Sequence, residues 1–269
     1  MRRPHETIAD AAARTTIRVV STSAARREEL TSVFKQARGC TRCPQLASTR
    51  TQVVFGSGNA DAELMFVGEA PGAKEDMDGV PFVGAAGKLL DELLAGVGLA
   101  RADVFIANVL MCRPPGNRDP QPGEIDNCQG YLMRKVELIQ PTVICTLGNF
   151  STKLLRGDPT GISRLHGRAE IIAVGNRAVR LYPLYHPAAA LYTRSLLDTL
   201  RADIARLPAL LALGPPAQPE PVAAEAAVQP PPTSEEPVTP DRQPPASAEP
   251  ERPDWARPDE SPADQLGLF

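Results

Sequence analysis

The chain has 269 residues, 42% of them apolar and 23% charged, with a net charge of −3. No apolar run reaches the roughly 18 residues that span a bilayer and residues 1–23 hold no signal-peptide core, so membrane and secreted classes are excluded and the cytoplasm is expected. The charge is uneven: residues 214–269 carry eleven acids against three bases, net −8, which leaves +5 on the rest, a mildly basic body compatible with nucleic acid.

Residues 1–23, with Arg2, Arg3, Arg14 and Arg18, read as a poorly ordered lead-in. Over 24–38 the apolar Leu30, Val33, Phe34 and Ala37 recur at helical spacing, giving a helix that delivers the chain to Cys40. Cys40 and Cys43 form a Cys-x-x-Cys-Pro run, and such a close pair supplies two metal ligands without long loop closure. Residues 63–68 are a short apolar strand that ends in Gly68-Glu69-Ala70-Pro71-Gly72. Residues 85–97 place Leu89, Leu90, Leu93 and Leu94 on one helix face, stopped by Gly98. A second buried strand covers 103–109, followed by a Pro/Gly/Asn loop that begins just after Cys112 and by a helix over 122–139 that carries Cys128. The third strand, 141–147, contains Cys145, a small buried hydrophobe rather than a ligand. A short helix over 149–155, strands over 171–174 and 178–184 and a last helix over 188–207 complete the set. From Gly214 onward stand 15 of the 28 prolines, among many Ala, Glu, Ser and Gln. Such a segment cannot bury enough apolar surface to offset its ordering entropy, so a disordered, acidic, proline-rich tail is expected over 214–269.

Strands alternating with helices at this spacing predict a three-layer α/β/α domain over 24–213 with a central, mostly parallel sheet. Ligands of such folds bind outside the carboxyl ends of the strands. Gly68-Glu69, Asn108 and His186 each stand at or just after a strand end, which puts three polar candidates on one rim. Cys112 and Cys128, with fifteen residues between them, are too far apart for a zinc ribbon. The four cysteines suit a metal centre on the flank of a larger fold, tying the N-terminal segment to the one after Asn108; thiolates alone do not separate zinc from iron–sulfur. Residues 82–89 brush a P-loop, but Phe82 replaces its first glycine and Leu89 its Ser/Thr.

Cys40-x-x-Cys43-Pro44, Gly68-Glu69-Ala70-Pro71-Gly72, Pro81-Phe82-Val83-Gly84, the run from Asn108 to Arg118 (NVLMCRPPGNR) and His186-Pro187-Ala188-Ala189 occur here in order. Together they resemble the uracil-DNA glycosylase superfamily, most closely its family 4, the iron–sulfur branch, over residues 40–207. The resemblance implies a base-excision glycosylase that flips uracil out of single- or double-stranded DNA and hydrolyses its N-glycosidic bond, leaving an abasic site. It would be a monomer and monofunctional, with water as nucleophile, because no Lys stands in the matched motifs to form a Schiff base. It implies a [4Fe–4S] cluster on Cys40, Cys43, Cys112 and Cys128, with zinc as the alternative. Phe82 would offer a stacking face, Asn108 would read the base edge and His186 would meet uracil O2. The Glu69–Ala70 backbone would line the pocket. Family 1 enzymes carry Asp at the position of Ala70 to orient the water; its absence here leaves Glu69, Glu75 and Asn117 as candidates around the water and sugar. Leu191 or Tyr192 would wedge into the DNA, with Arg194 on a phosphate. Gln265, Leu266, Leu268 and Phe269 resemble the short Gln-Leu-x-Leu-Phe peptides by which bacterial repair and replication proteins dock on the sliding clamp. Two other readings stand beside this one: a metal-stabilised nucleic-acid-binding module without catalysis, and a glycosylase acting mainly on another damaged base.

Overall fold

The computed structural model describes residues 22–219. Thr22 accepts a hydrogen bond from the Ala25 N–H and starts helix α1 (Ser23–Arg38). Helix α2 (Pro44–Thr49) opens on Pro44, where a missing N–H costs nothing. There follow β1 (Ser57–Gly58), β2 (Leu64–Gly68), α3 (Ala73–Asp78), α4 (Ala85–Ala95) and β3 (Phe105–Asn108). Next come α5 (Pro122–Ile139), β4 (Val143–Leu147), α6 (Asn149–Arg156), α7 (Ile162–Leu165), β5 (Glu170–Val174) and β6 (Arg177–Leu184). Helices α8 (Pro187–Ala190), α9 (Arg194–Ile204) and α10 (Leu207–Ala212) end the series. No helix among the described residues is long and apolar enough to cross a membrane.

The six strands form one sheet in the order β1-β3-β2-β4-β6-β5. The four central strands are parallel. The two edges run antiparallel, β1 against β3 and β5 against β6. The β5–β6 link is only Gly175 and Asn176, with Gly175 at φ 61, and a two-residue link allows only a hairpin. Every residue of β2 and β4 is buried, since both their faces are covered. Alternate residues feed two cores. Met65, Val67, Phe105 and Ile144 pack with α1 and α5, whereas Leu64, Phe66, Ile106 and Cys145 pack with α4 and α9. The crossover direction reverses at β2, between β3 and β4, the usual place for a ligand crevice in an open α/β sheet.

Several local features differ from the sequence expectation, which includes neither the edge strand β1 nor the final helix α10. The helix expected over 188–207 breaks: α8 ends at Ala190, Leu191–Thr193 form an exposed turn, and Thr193, in an extended conformation, begins α9. The apolar periodicity runs through the break, so spacing alone does not reveal it. The short α2, α3 and α7 are too brief to display a period of their own.

Both ends of the described chain lie at the amino edge of the sheet. Ser23 donates to Asp61, just ahead of β2, and Arg26 donates to the Leu138 carbonyl at the end of α5. After α10 the Gln218 amide pairs with both backbone groups of Ala178, at 3.2 and 2.9 Å, as an extra residue of β4 would. Arg180 reaches the Gly214 carbonyl at 2.9 Å.

Candidate active site

A cavity of about 210 Å³ opens at the carboxyl ends of β2, β3 and β6. It suits a single planar ring rather than the roughly 300–1,000 Å³ typical of larger ligands. Glu69, Ala70, Glu75, Phe82, Asn108, Asn117 and His186 all line it. The sheet brings them together: β2 delivers Glu69 and Ala70, β3 ends on Asn108, and β6 delivers His186.

Asn108 is 2% exposed, paired with Gly68 in the β2–β3 ladder. Its Oδ1 is buried without a hydrogen-bond partner. An orphaned buried acceptor is costly, on the order of 1–3 kcal/mol, and calls for a ligand donor. Gly68 makes room for this arrangement. A Cβ there would stand 2.4 Å from Asn108 Oδ1 and 2.8 Å from the Phe82 ring.

Phe82 adopts φ 54, a conformation that costs a non-glycine residue about 1–3 kcal/mol. It packs toward His186, the ring centroids 5.6 Å apart. A Cβ on Gly87 would fall 1.8 Å from the Phe82 carbonyl oxygen, so glycine is required where α4 crosses this turn. Glu75 lines the cavity, yet its Oε1 accepts the Val83 and Gly84 N–H groups at 3.0 and 2.8 Å. Those N–H groups open α4, so Glu75 caps a helix and favours its positive end.

His186 caps α8: its Nδ1 accepts the Ala188 N–H at 3.1 Å. The ring proton therefore sits on Nε2. Burial pushes His186 down to about 4, with the nearby Glu75 carboxylate opposing. The imidazole is neutral at physiological pH. Tyr185, the residue before it, stacks on His166, which Asp203 holds at 2.8 Å.

Glu69 is pushed up to about 7 by burial and then by the Asp119 charge. Asn117, at the exposed mouth, has φ 54, and its Oδ1 accepts Arg113 Nε at 2.7 Å. Arg118 also lines the cavity and pairs with Glu124 at 2.6 Å. Sequence reading passed over Arg118, although it adjoins Asn117 in the same Pro/Gly loop.

Cys40, Cys43, Cys112 and Cys128 surround a second, smaller cavity beneath α2 and α5. Arg50 donates to Cys112 Sγ at 3.1 Å and Asn127 to Cys43 Sγ at 3.6 Å. Burial raises the thiols of Cys43 and Cys112 and pushes Cys128 up to about 11. Lys135, two turns along α5 from Cys128 on the same face, is 0% exposed, and its ammonium lies 4.3 Å over the Phe55 ring with no hydrogen-bond partner. Among the described residues no three His, Cys, Asp or Glu side chains form a group that could hold a metal ion as they stand. The donor set of four thiols around one cavity, with N–H donors to two sulfurs and a buried cation close by, fits a thiolate-ligated cluster. Cys145 stands apart, wholly buried within β4.

Leu191 and Tyr192 line neither cavity; they project from the turn between α8 and α9, Tyr192 at 83% exposure, with Arg194 opening α9. Gln265, Leu266, Leu268 and Phe269 lie outside the described residues.

A neutral histidine, a buried amide and an aromatic face stand around a cavity sized for one planar ring at the switch point of an α/β sheet. The profile of the uracil DNA glycosylase superfamily matches residues 55–207. The type-4 uracil-DNA glycosylase of Archaeoglobus fulgidus is 45% identical over 184 residues, 67% of this chain and 92% of that protein. Those of Sulfurisphaera tokodaii and Thermotoga maritima are each 42% identical, over 67% and 63% of this chain and 84% and 87% of their own lengths. The chain belongs to the uracil-DNA glycosylase superfamily, in its type-4 branch.

Proposed function

We propose that this chain is a monofunctional base-excision repair glycosylase that takes uracil flipped out of DNA and hydrolyses its N-glycosidic bond, releasing free uracil and leaving an abasic site. The observation that carries this reading is the orphaned Asn108 Oδ1. Uracil N3–H supplies the missing donor while its O4 accepts from the other end of the amide. Cytosine presents the reverse pattern and leaves buried polar groups unpaired. The base stacks on Phe82, and His186 Nε2–H donates to O2, where negative charge grows as the C1′–N1 bond breaks. Water attacks C1′ and gives its proton to Glu69, whose raised pKa suits a general base at neutral pH. Glu75 is engaged with α4 and Asn117 Oδ1 with Arg113, which leaves Glu69 the best placed acceptor. Incubation with a uracil-containing oligonucleotide, followed by quantitation of free uracil and of abasic sites, tests the assignment. Binding without release would point to a non-catalytic nucleic-acid-binding module, and faster release of another base would change the main substrate.

The four cysteines are the proposed ligands of a [4Fe–4S] cluster, with one zinc as the alternative. The cluster would cross-link the segment before α2 to the segment after β3, and glycosidic hydrolysis draws no electrons from it. Cys40→Ala, Cys43→Ala, Cys112→Ala or Cys128→Ala should bleach a brown protein and lower its melting temperature, whereas Cys145→Ala keeps the colour. A colourless native protein with one bound zinc would overturn the iron–sulfur assignment.

Leu191 or Tyr192 is the proposed wedge that fills the gap left by the flipped base, with Arg194 on a phosphate. Leu191→Ala should slow excision more on duplex than on single-stranded DNA, where no stack must open. Equal losses on both substrates argue against the wedge. The peptide Gln265-Leu266-Gly267-Leu268-Phe269 is proposed to dock on a sliding clamp and raise the local concentration of the enzyme on DNA. Deleting it should abolish clamp binding and leave release from short oligonucleotides unchanged; binding that survives the deletion rules out the tether.

A further inference from the structure

The left-handed conformation of Phe82 persists only if its surroundings hold it there. Glycines at 68 and 87 permit that conformation but exert no pull on it. After Phe82 the chain is held by Glu75 on the Val83 and Gly84 N–H groups, and the carbonyls of the turn itself are held by Arg101, in the short turn before β3. Its Nη1 donates to the Phe82 carbonyl at 3.0 Å, and its Nη2 donates to the Pro81 carbonyl. The same guanidinium is fixed by Asp91 of α4 at 3.1 Å. Consecutive carbonyls of an extended chain point to opposite sides, so only a sharp turn presents both to one planar fork. A guanidinium grips two such acceptors at once, which an ammonium on a flexible stem cannot do. Arg101 does not line the cavity.

We propose that Arg101 is a positioning residue, clamping the Pro81–Phe82 turn and so setting the tilt and height of the aromatic face against which the excised base stacks. The inference rests on the reading of Phe82 as that face. Arg101 touches no substrate; its effect passes through one ring.

The test is a double-mutant cycle of Arg101→Met and Phe82→Ala on the full-length, cluster-loaded protein. The readouts are kcat and KM on uracil-containing DNA, the inhibition constant of free uracil and the melting temperature. Arg101→Met should lower kcat about tenfold and weaken uracil inhibition about tenfold, the scale of one base–aromatic stack, while KM for DNA stays within about twofold. In the Phe82→Ala background the same substitution should change neither quantity by more than about twofold, because the ring it positions is gone. Arg101→Lys, which keeps the charge beside Asp91 but loses the fork, should fall between wild type and Arg101→Met. It decides the cycle if Arg101→Met fails to fold. Full additivity of the two substitutions, or an Arg101 variant with unchanged kcat and uracil inhibition beside an impaired Phe82→Ala, overturns the inference. If Phe82→Ala itself leaves both quantities unchanged, the stacking role of Phe82 fails first.

Discussion

Replacing His186 by alanine should slow uracil excision about a hundredfold, the usual cost of losing one donor aimed at developing negative charge. The Ala188 N–H fixes the tautomer and burial keeps the ring uncharged, so the donor is a neutral Nε2–H in place before the reaction begins. Because the ring titrates near 4, the rate between about pH 6 and 9 should show no limb from His186. The stability sign follows. Below the ordinary histidine value near 6.5 the unfolded chain takes up a proton that the folded chain refuses until about 4. Stability therefore falls as the pH drops through that window, and His186→Ala should lessen the fall. Single-turnover rates separate the chemical step from binding. A variant within about threefold of wild type removes His186 from the chemistry.

Replacing Glu69 by glutamine should have opposite effects on rate and stability. Loss of a general base predicts a fall of at least about a hundredfold at pH 8. The wild-type rate should rise with pH through about 7 as Glu69 ionises, and the glutamine variant should lack that limb. The same raised pKa destabilises the native state. Between the ordinary carboxylate value and about 7 the unfolded chain has already lost a proton that the folded chain retains, so stability declines with rising pH. Glutamine should restore on the order of 1–3 kcal/mol at pH 8, less whatever solvent at the cavity mouth screens, and change little near pH 4. Melting temperatures at the two pH values measure this directly. A variant that is inactive and also less stable at pH 8 contradicts the account.

Much of the pocket is legible in the sequence because strand ends are. The runs ending at Gly68, Asn108 and Leu184 are apolar and short, and parallel strands present their carboxyl ends to one rim whatever helices connect them. The cysteine spacing points to one cluster of thiols, and the fold gathers Cys40, Cys43, Cys112 and Cys128 around one small cavity. What the sequence does not reveal depends on contacts distant along the chain. Nothing in Lys74-Glu75-Asp76 tells that the middle carboxylate ends at the start of α4. Phe82 follows Pro81 in a Gly-flanked loop, and nothing local shows that its carbonyl is held by Arg101, nineteen positions later. Residues 188–207 carry an unbroken apolar period, and the break at Leu191–Thr193 is not written in it: α8 ends at Ala190 and α9 restarts from an extended Thr193.

The Gln218–Ala178 pairing gives the molecule a handle. Ala178 is the second residue of β6 and His186 follows its end, about 26 Å away at the rise of a strand. Thr22 and Pro219 thus both leave the fold from the side turned away from the base pocket. A bead, a dye or a fused reader domain can be attached at either end with the pocket facing outward. An array of molecules fixed to glass through either extension should release uracil from arriving strands as fast as the free enzyme does.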